Sequence, residues 1–197
     1  REINEKKLIL IHDDILKIIF SALIFSLYPT HKSLYAKYKL VANIPYYITG
    51  QVIRKFLSEE QNQPSRMVLM VQKEVAKRII AQDKKESLLS LSVKVYGQPK
   101  YIKTVPAGAF EPRPKVDSAI LLIANISRNF FSNISEQKFF SILKKGFGQK
   151  RKLLKSNLGI GEETLLACQI PTKARAENLT LENWKCLVTK LFSYGQR

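Results

Sequence analysis

Tyr38-Lys39-Leu40-Val41-Ala42-Asn43-Ile44-Pro45-Tyr46 is a short apolar run that ends in an amide, a proline and an aromatic ring. A run bounded in this way reads as a buried strand with a turn at its carboxyl end. Open α/β sheets hold their ligands at the carboxyl ends of strands, so this turn lies where a site belongs. Asn43 supplies a carboxamide, Pro45 a fixed backbone angle and Tyr46 a flat face. Together they make a device for holding a planar, amine-bearing ring. An ordinary proline turn has the same composition, so the neighbours must decide between the two.

Working outward, residues 8–11 (Leu-Ile-Leu-Ile) followed by His12-Asp13-Asp14 read as a further parallel strand that delivers polar side chains at its end. A loosely helical apolar stretch runs on to about Tyr28, followed by a connection containing Pro29. Ile48, Val52, Ile53, Phe56 and Leu57 mark one helix face, and residues 58–65 are polar loop. The pattern then predicts a strand over 67–71, a helix over 73–81, a short helix over 87–95, and strands over 101–105 and 119–124 around a proline-rich loop. Strands alternating with helices imply an α/β layer fold. Beyond Asn125 the character changes. Ser135 and Thr180 can each cap a helix, carrying Phe139, Ile142, Leu143 and Phe147 in the first and Trp184, Leu187, Val188 and Leu191 in the second. The chain therefore divides into an α/β part, 1–126, and a helical part, 127–197.

With 197 residues, 45% of them hydrophobic, the chain can bury a core. Its 33 basic against 16 acidic residues give a formal charge of +17, which favours nucleic acid or another anionic surface as partner. Cys168 and Cys186 have no CxxC spacing and no histidine partner, so they form no zinc pattern, and reduced, buried thiols in a cytosolic protein are expected. The longest apolar stretch, 18–28, is shorter than the roughly 20 residues a membrane span needs.

Several further patches follow in order. Asp14 comes after the first strand, Asn43-Ile44-Pro45-Tyr46 after the second and Val71-Gln72-Lys73-Glu74-Val75 after the third. The fifteen residues from Val105 to Ala119 read VPAGAFEPRPKVDSA, and Phe147-Gly148-Gln149-Lys150-Arg151-Lys152 and Arg175-Ala176-Glu177-Asn178-Leu179 close the series. The ensemble closely resembles the KsgA-type ribosomal RNA small-subunit adenine dimethyltransferases, from about Leu8 to the C-terminus. The resemblance implies a Rossmann-like class I methyltransferase sheet that binds S-adenosylmethionine, with a small C-terminal all-helical domain that binds rRNA. It also implies the substrate: two adjacent adenosines near the 3′ end of small-subunit rRNA, each dimethylated at N6, in free rRNA or the immature small subunit. A cytoplasmic monomer is expected, with no metal.

On that resemblance Asn43, Pro45, Tyr46 and Phe110 form the catalytic target-base site. Asp14 and Asn43 serve the cofactor, with Asp14 accepting from its adenine amino group. The alternative for Asp14 is a solvated strand-end carboxylate or a helix cap, and for Phe110 simple packing under its loop. Lys115, Asp117 and Ser118 brace the loop, and Gln72, Lys73 and Glu74 begin a helix. Lys144, Lys145, Lys150, Arg151, Lys152 and Lys155, with no acid among them in sequence, are the candidate phosphate contacts; a solvated helix face would have the same composition.

The sequence departs from the family in two places. No Gly-x-Gly turn precedes Asp14, and the acid that would hold the cofactor ribose is absent as well. The chain starts at Arg1 and runs almost at once into the apolar 8–11 segment. We therefore expect an N-terminally incomplete sheet, its first strands missing, that binds cofactor poorly and is inactive by itself. The stretch 18–37 also looks longer than the family's usual connection. Two other functions share many of these features: a noncatalytic rRNA-binding assembly factor, and an erythromycin-resistance-type methylase of large-subunit rRNA. The Lys-Val-Asp-Ser and Phe-Gly-Gln-Lys-Arg-Lys stretches favour the small-subunit enzyme.

Overall fold

A computed structural model describes residues 8–27 and 38–193. The Pro29 connection, and the second half of the stretch noted for its length, lie outside the described residues. Four strands form one sheet: β1 (Lys39–Asn43), β2 (Arg66–Gln72), β3 (Gln98–Val105) and β4 (Ser118–Ala124). Their order is β1-β2-β4-β3, with β1 parallel to β2 and β4 antiparallel to both β2 and β3. The two central strands alternate buried and half-buried residues, which is why Met67, Leu69 and Val71 of β2 and Leu121 and Ile123 of β4 are fully buried.

Helix α1 (Phe20–Leu27) precedes the sheet, and Phe20 packs edge-on against Phe56. The helix expected after β1 is irregular. A 3₁₀ turn (Tyr46–Ile48) leads into α2 (Thr49–Arg54) and then a π turn (Lys55–Glu59). That last turn buries Lys55 beside the equally buried Glu60, at 3.0 Å. Two charges taken out of water together in this way are tolerated only as a pair. Helices α3 (Lys73–Ile80) and α4 (Leu88–Lys94) follow β2, and α4 begins with a capping box between Ser87 and Ser90.

Among the described residues, all regular structure after β4 is helical. Helix α5 (Glu136–Gly146) is capped by Ser135, and α8 (Leu181–Ser193) begins after Thr180, whose hydroxyl accepts from Asn183 N at 3.2 Å. Between them lie the short helices α6 (Leu154–Leu158) and α7 (Glu162–Leu166). Trp184 of α8 is fully buried and stacks on Phe147, with centroids 5.7 Å apart. Glu136 joins this unit to the sheet side, accepting from Tyr96 Oη and Ser58 Oγ and pairing with Arg128. Burial and the Glu136 hydrogen bond both push the Tyr96 phenol up beyond its ordinary range.

Two expectations are corrected. Residues 8–11 form no strand: Leu8, Ile9, Leu10 and Ile11 stay exposed, because among the described residues no strand lies alongside to share a hydrogen-bond ladder. The cysteines are not free thiols. Cys168, in the turn after α7, and Cys186, on α8, are joined in a disulfide with Cα atoms 5.7 Å apart. The reason is local: Gln169 turns the chain back with a positive φ, and Asn183 Nδ2 then donates to Cys168 O, aligning the two segments.

Candidate functional site

Strand direction brings the sequence patches together. Because β1 and β2 are parallel and β4 runs the other way, Asn43, Gln72 and Ser118 all fall at one edge of the sheet, with Gln72 directly opposite Ser118. Val105, the end of β3, also faces Ser118. Three loops therefore meet there: 44–48, the β2–α3 junction, and 106–117.

At their meeting lies a pocket of about 290 Å³, lined by Asn43, Ile44, Pro45, Tyr46, Phe110, Pro112 and Pro114. This size suits one flat ring rather than a whole extended ligand. All four residues expected at the target-base site line it. Ile44 is the buried anchor, and its N–H donates to Met70 O at 3.4 Å. Pro45 opens the 3₁₀ turn, and its carbonyl accepts from Ile48 N at 3.1 Å. The Tyr46 hydroxyl shares a 2.7 Å hydrogen bond with Ser118 Oγ, which fixes the ring against the first residue of β4.

Phe110 is positioned by Asp117. One carboxylate oxygen accepts from Ala107 N at 3.1 Å, the other meets Lys73 Nζ at 3.1 Å, and Lys73 N donates to Asp117 O at 3.0 Å. The short Ala107–Ala109 turn that presents Phe110 is thus held to the start of α3. The Ala107 N–H, and after it the Lys73 ammonium, hold the Asp117 carboxyl below the usual carboxylate range. Asp117 and Ser118 brace the loop as their place in the sequence suggests, whereas Lys115 is exposed. Lys73 does more than begin a helix, a role visible only once β2 and β4 are paired.

Asp14 does not line the pocket. It is exposed, and its Oδ1 accepts from Leu16 N at 2.9 Å, a local turn cap. Its second oxygen is free to accept an amine donor, so its chemistry fits the proposed cofactor contact.

The basic residues fall into three settings. Lys150 and Arg151 line a groove of about 1310 Å³ that also receives Lys77, Arg78, Lys85 and Arg175. Arg78 and Lys85 face acids there, Glu74 at 3.3 Å and Glu177 at 3.5 Å. Lys144, Lys145 and Lys152 are exposed outside the groove lining. Lys155 is ion-paired with Glu162, so an acid distant by one helix offsets its charge. Sequence reading missed Lys77, Arg78 and Arg175. The one signal available was the adjacent Lys77-Arg78 pair opposite the apolar face of α3.

Two solved structures share the fold. A dimethyladenosine transferase from Plasmodium falciparum aligns with a TM-score of 0.67 at 24% identity, covering 80% of this chain and 68% of that one. The 23S rRNA methyltransferase ErmE aligns at 0.64 with 18% identity, covering 89% and 80%. This chain has the mixed α/β fold of both structures. Residues 1–192 match the family described as ribosomal RNA adenine dimethylase, and the chain belongs to that family. It is 43% identical to a ribosomal RNA small subunit methyltransferase A from Dehalococcoides mccartyi, over 91% of this chain and 62% of the relative. It is 35% identical to the protein of that name from Alkaliphilus oremlandii, over 92% and 65%. The chain thus spans less than two thirds of the length of these relatives. Among the described residues no helix is long and apolar enough to cross a membrane.

Proposed function

We propose that this chain carries the target-base pocket and the rRNA-binding unit of an enzyme that dimethylates N6 of two adjacent adenosines near the 3′ end of 16S rRNA during small-subunit maturation in the cytoplasm. The observation that carries this reading is the convergence of Asn43, Pro45, Tyr46 and Phe110 on one ring-sized pocket. The adenine amino nitrogen is a poor nucleophile because its lone pair is delocalised into the ring. Acceptors aimed at its two hydrogens favour a pyramidal nitrogen and direct the lone pair outward. The Asn43 side-chain oxygen is one acceptor. The second is a backbone carbonyl, that of Ile44 or that of Pro45, which also accepts from Ile48. Tyr46 and Phe110 offer the aromatic walls for an extruded base, and stacking of this kind contributes about 1–3 kcal/mol. S-adenosylmethionine, when bound, would supply the methyl group as a sulfonium, with Asp14 and Asn43 as its contacts. The protein's contribution is mainly alignment.

Residues 127–197 form the rRNA-binding domain in this reading, and the cation-lined groove holds phosphates. A noncatalytic assembly factor is the second reading, favoured by Asp14 capping its own turn. The test is transfer of labelled methyl to immature small subunits, by this chain and by one extended to the relatives' length. We expect N6,N6-dimethyladenosine at two adjacent positions with the extended chain, and loss of at least about 100-fold in rate on Asn43→Ala with RNA binding retained. Full turnover by Asn43→Ala would remove the amine clamp; RNA binding without methylation by the extended chain would favour the assembly factor.

A further inference from the structure

We propose that Tyr47, with Arg113 and Lys115, forms a second subsite on the pocket rim that receives the nucleotide flanking the target adenine in a single strand. The proposal rests on the adenine-pocket reading above. Its starting point is the 3₁₀ turn Tyr46–Ile48, in which successive side chains point about 120° apart. Tyr46 is tied to Ser118 in the pocket wall, and Ile48 packs against the core. Tyr47 is thereby turned outward and is 87% exposed, the most exposed large hydrophobic side chain among the described residues.

A lone exposed aromatic needs no explanation. This one adjoins the wall of the ring-sized pocket, so a ring laid on it would neighbour a ring held inside. Across the mouth, Arg113 stands between the lining residues Pro112 and Pro114, and Lys115 follows directly. Both cations are exposed. Of the acids in the same loop, Asp117 is engaged chiefly by Ala107 and Lys73 and more weakly by Arg113, and Glu111 is the other, set against two cations. An aromatic face beside cations is how single-stranded nucleic acid is held: the base stacks and the phosphate pairs. Tyr46 and Tyr47 would then take consecutive bases, one inside the pocket and one on its rim.

The test compares adenylyl-adenosine with the two dinucleotides in which one or the other adenine is replaced by an abasic ribose, titrated by NMR against this chain. The phosphate is common to all three, so any difference reports the second base. We expect adenylyl-adenosine to bind about tenfold tighter than either abasic probe, within the range of base–aromatic stacking. Tyr47→Ala should abolish that gain without changing the binding of the abasic probes, and Tyr47→Phe should retain it. With an adenosine hexamer, exchanging Arg113 and Lys115 for Gln should reduce the slope of log affinity against log salt by about 1.4. Equal binding of all three probes to the wild-type chain, or a gain that survives Tyr47→Ala, overturns the subsite and leaves the pocket standing. An unchanged salt slope overturns its phosphate half. Failure of the wild-type chain to bind any of the probes overturns the adenine pocket and the subsite with it.

Discussion

Gly146→Ala sets helix propensity against packing, and the structure says which prevails. Gly146 ends α5, and alanine there gains up to about 1 kcal/mol in propensity. A Cβ at this position would, however, lie 2.4 Å from Trp184 Cη2, 3.0 Å from Cζ3 and 3.2 Å from Leu154 Cδ1. Carbon atoms pack best at about 3.5–4.0 Å, so the overlap with the indole is on the order of 1 Å. Trp184 and Leu154 are fully buried, and Phe147 stacks on the indole, so neither can swing away into solvent. Overpacking of this kind costs about 1–3 kcal/mol. A rigid ring at so short a distance belongs at the upper end, and the net effect is destabilisation by about 1–2 kcal/mol. For a chain of this size that lowers Tm by roughly 2–8 °C. Gly50→Ala is the control: Gly50 lies in α2, a Cβ there meets nothing within 4 Å, and Tm should rise by about 1–4 °C. Urea unfolding followed by the single tryptophan reads both variants. If Gly146→Ala is stabilised as much as Gly50→Ala, the packing argument is wrong. The effect should also reach the basic segment, because Asn157 Nδ2 donates to both Gly146 O and Gln149 O, at 2.7 and 3.0 Å.

Changing Lys150, Arg151 and Lys152 together to Gln should flatten the salt dependence of rRNA binding by about 2–3 in log–log slope, read by filter binding across a salt series; an unchanged slope returns the patch to a solvated surface. Asp117→Asn should lower stability at neutral pH. The folded-state pKa of Asp117 is depressed, so its contribution is fully present above the ordinary value of about 3.9 and is lost as pH falls through the folded value. The Tm difference between wild type and Asp117→Asn should therefore hold steady from pH 7 to 5 and narrow as pH falls below about 3.9; a gap that is unchanged by acidification contradicts the clamp. Reducing the Cys168–Cys186 bond, which spans 18 residues, should cost about 3 kcal/mol and lower Tm by roughly 6–12 °C. A Cys168→Ser, Cys186→Ser variant should ignore the reductant, and a wild-type Tm that also ignores it denies the pairing.

Much of the sheet was legible because strands with one face buried and the other half-buried write themselves as unbroken apolar runs. The expected 67–71 and 119–124 segments became β2 and β4 with only a residue or two added at their ends. The capped helices were equally legible, since Ser135 and Thr180 state their role locally. Residues 8–11 carry the same apolar signature and form no strand, because a strand is completed by its neighbour and not by its own composition. The π turn at Lys55–Glu59 was hidden because apolar spacing does not distinguish an i→i+5 bond from an i→i+4 one: Glu60 N donates to Lys55 O at 2.9 Å, and the two side chains form a buried ion pair. In the site, residue types pointed to Asn43, Pro45, Tyr46 and Phe110. The parts played by Lys73 and Ser118 depend on which strand ends become neighbours. The disulfide was misread because a sequence separation of 18 says nothing about a chain that doubles back at Gln169.

The opposition of Gln72 and Ser118 across the β2–β4 ladder has a consequence for how the protein can fail. Asp117 and Ser118 are consecutive, yet one grips the Phe110 loop and the other grips Tyr46. Sliding β4 by a single residue would exchange the faces to which these side chains point. Both grips would be lost together, while most of the apolar contacts of the strand could find substitutes. A one-residue misalignment of β4 would thus release the Tyr46 and Phe110 walls of the pocket together, even though only one of the two is bonded to the strand itself.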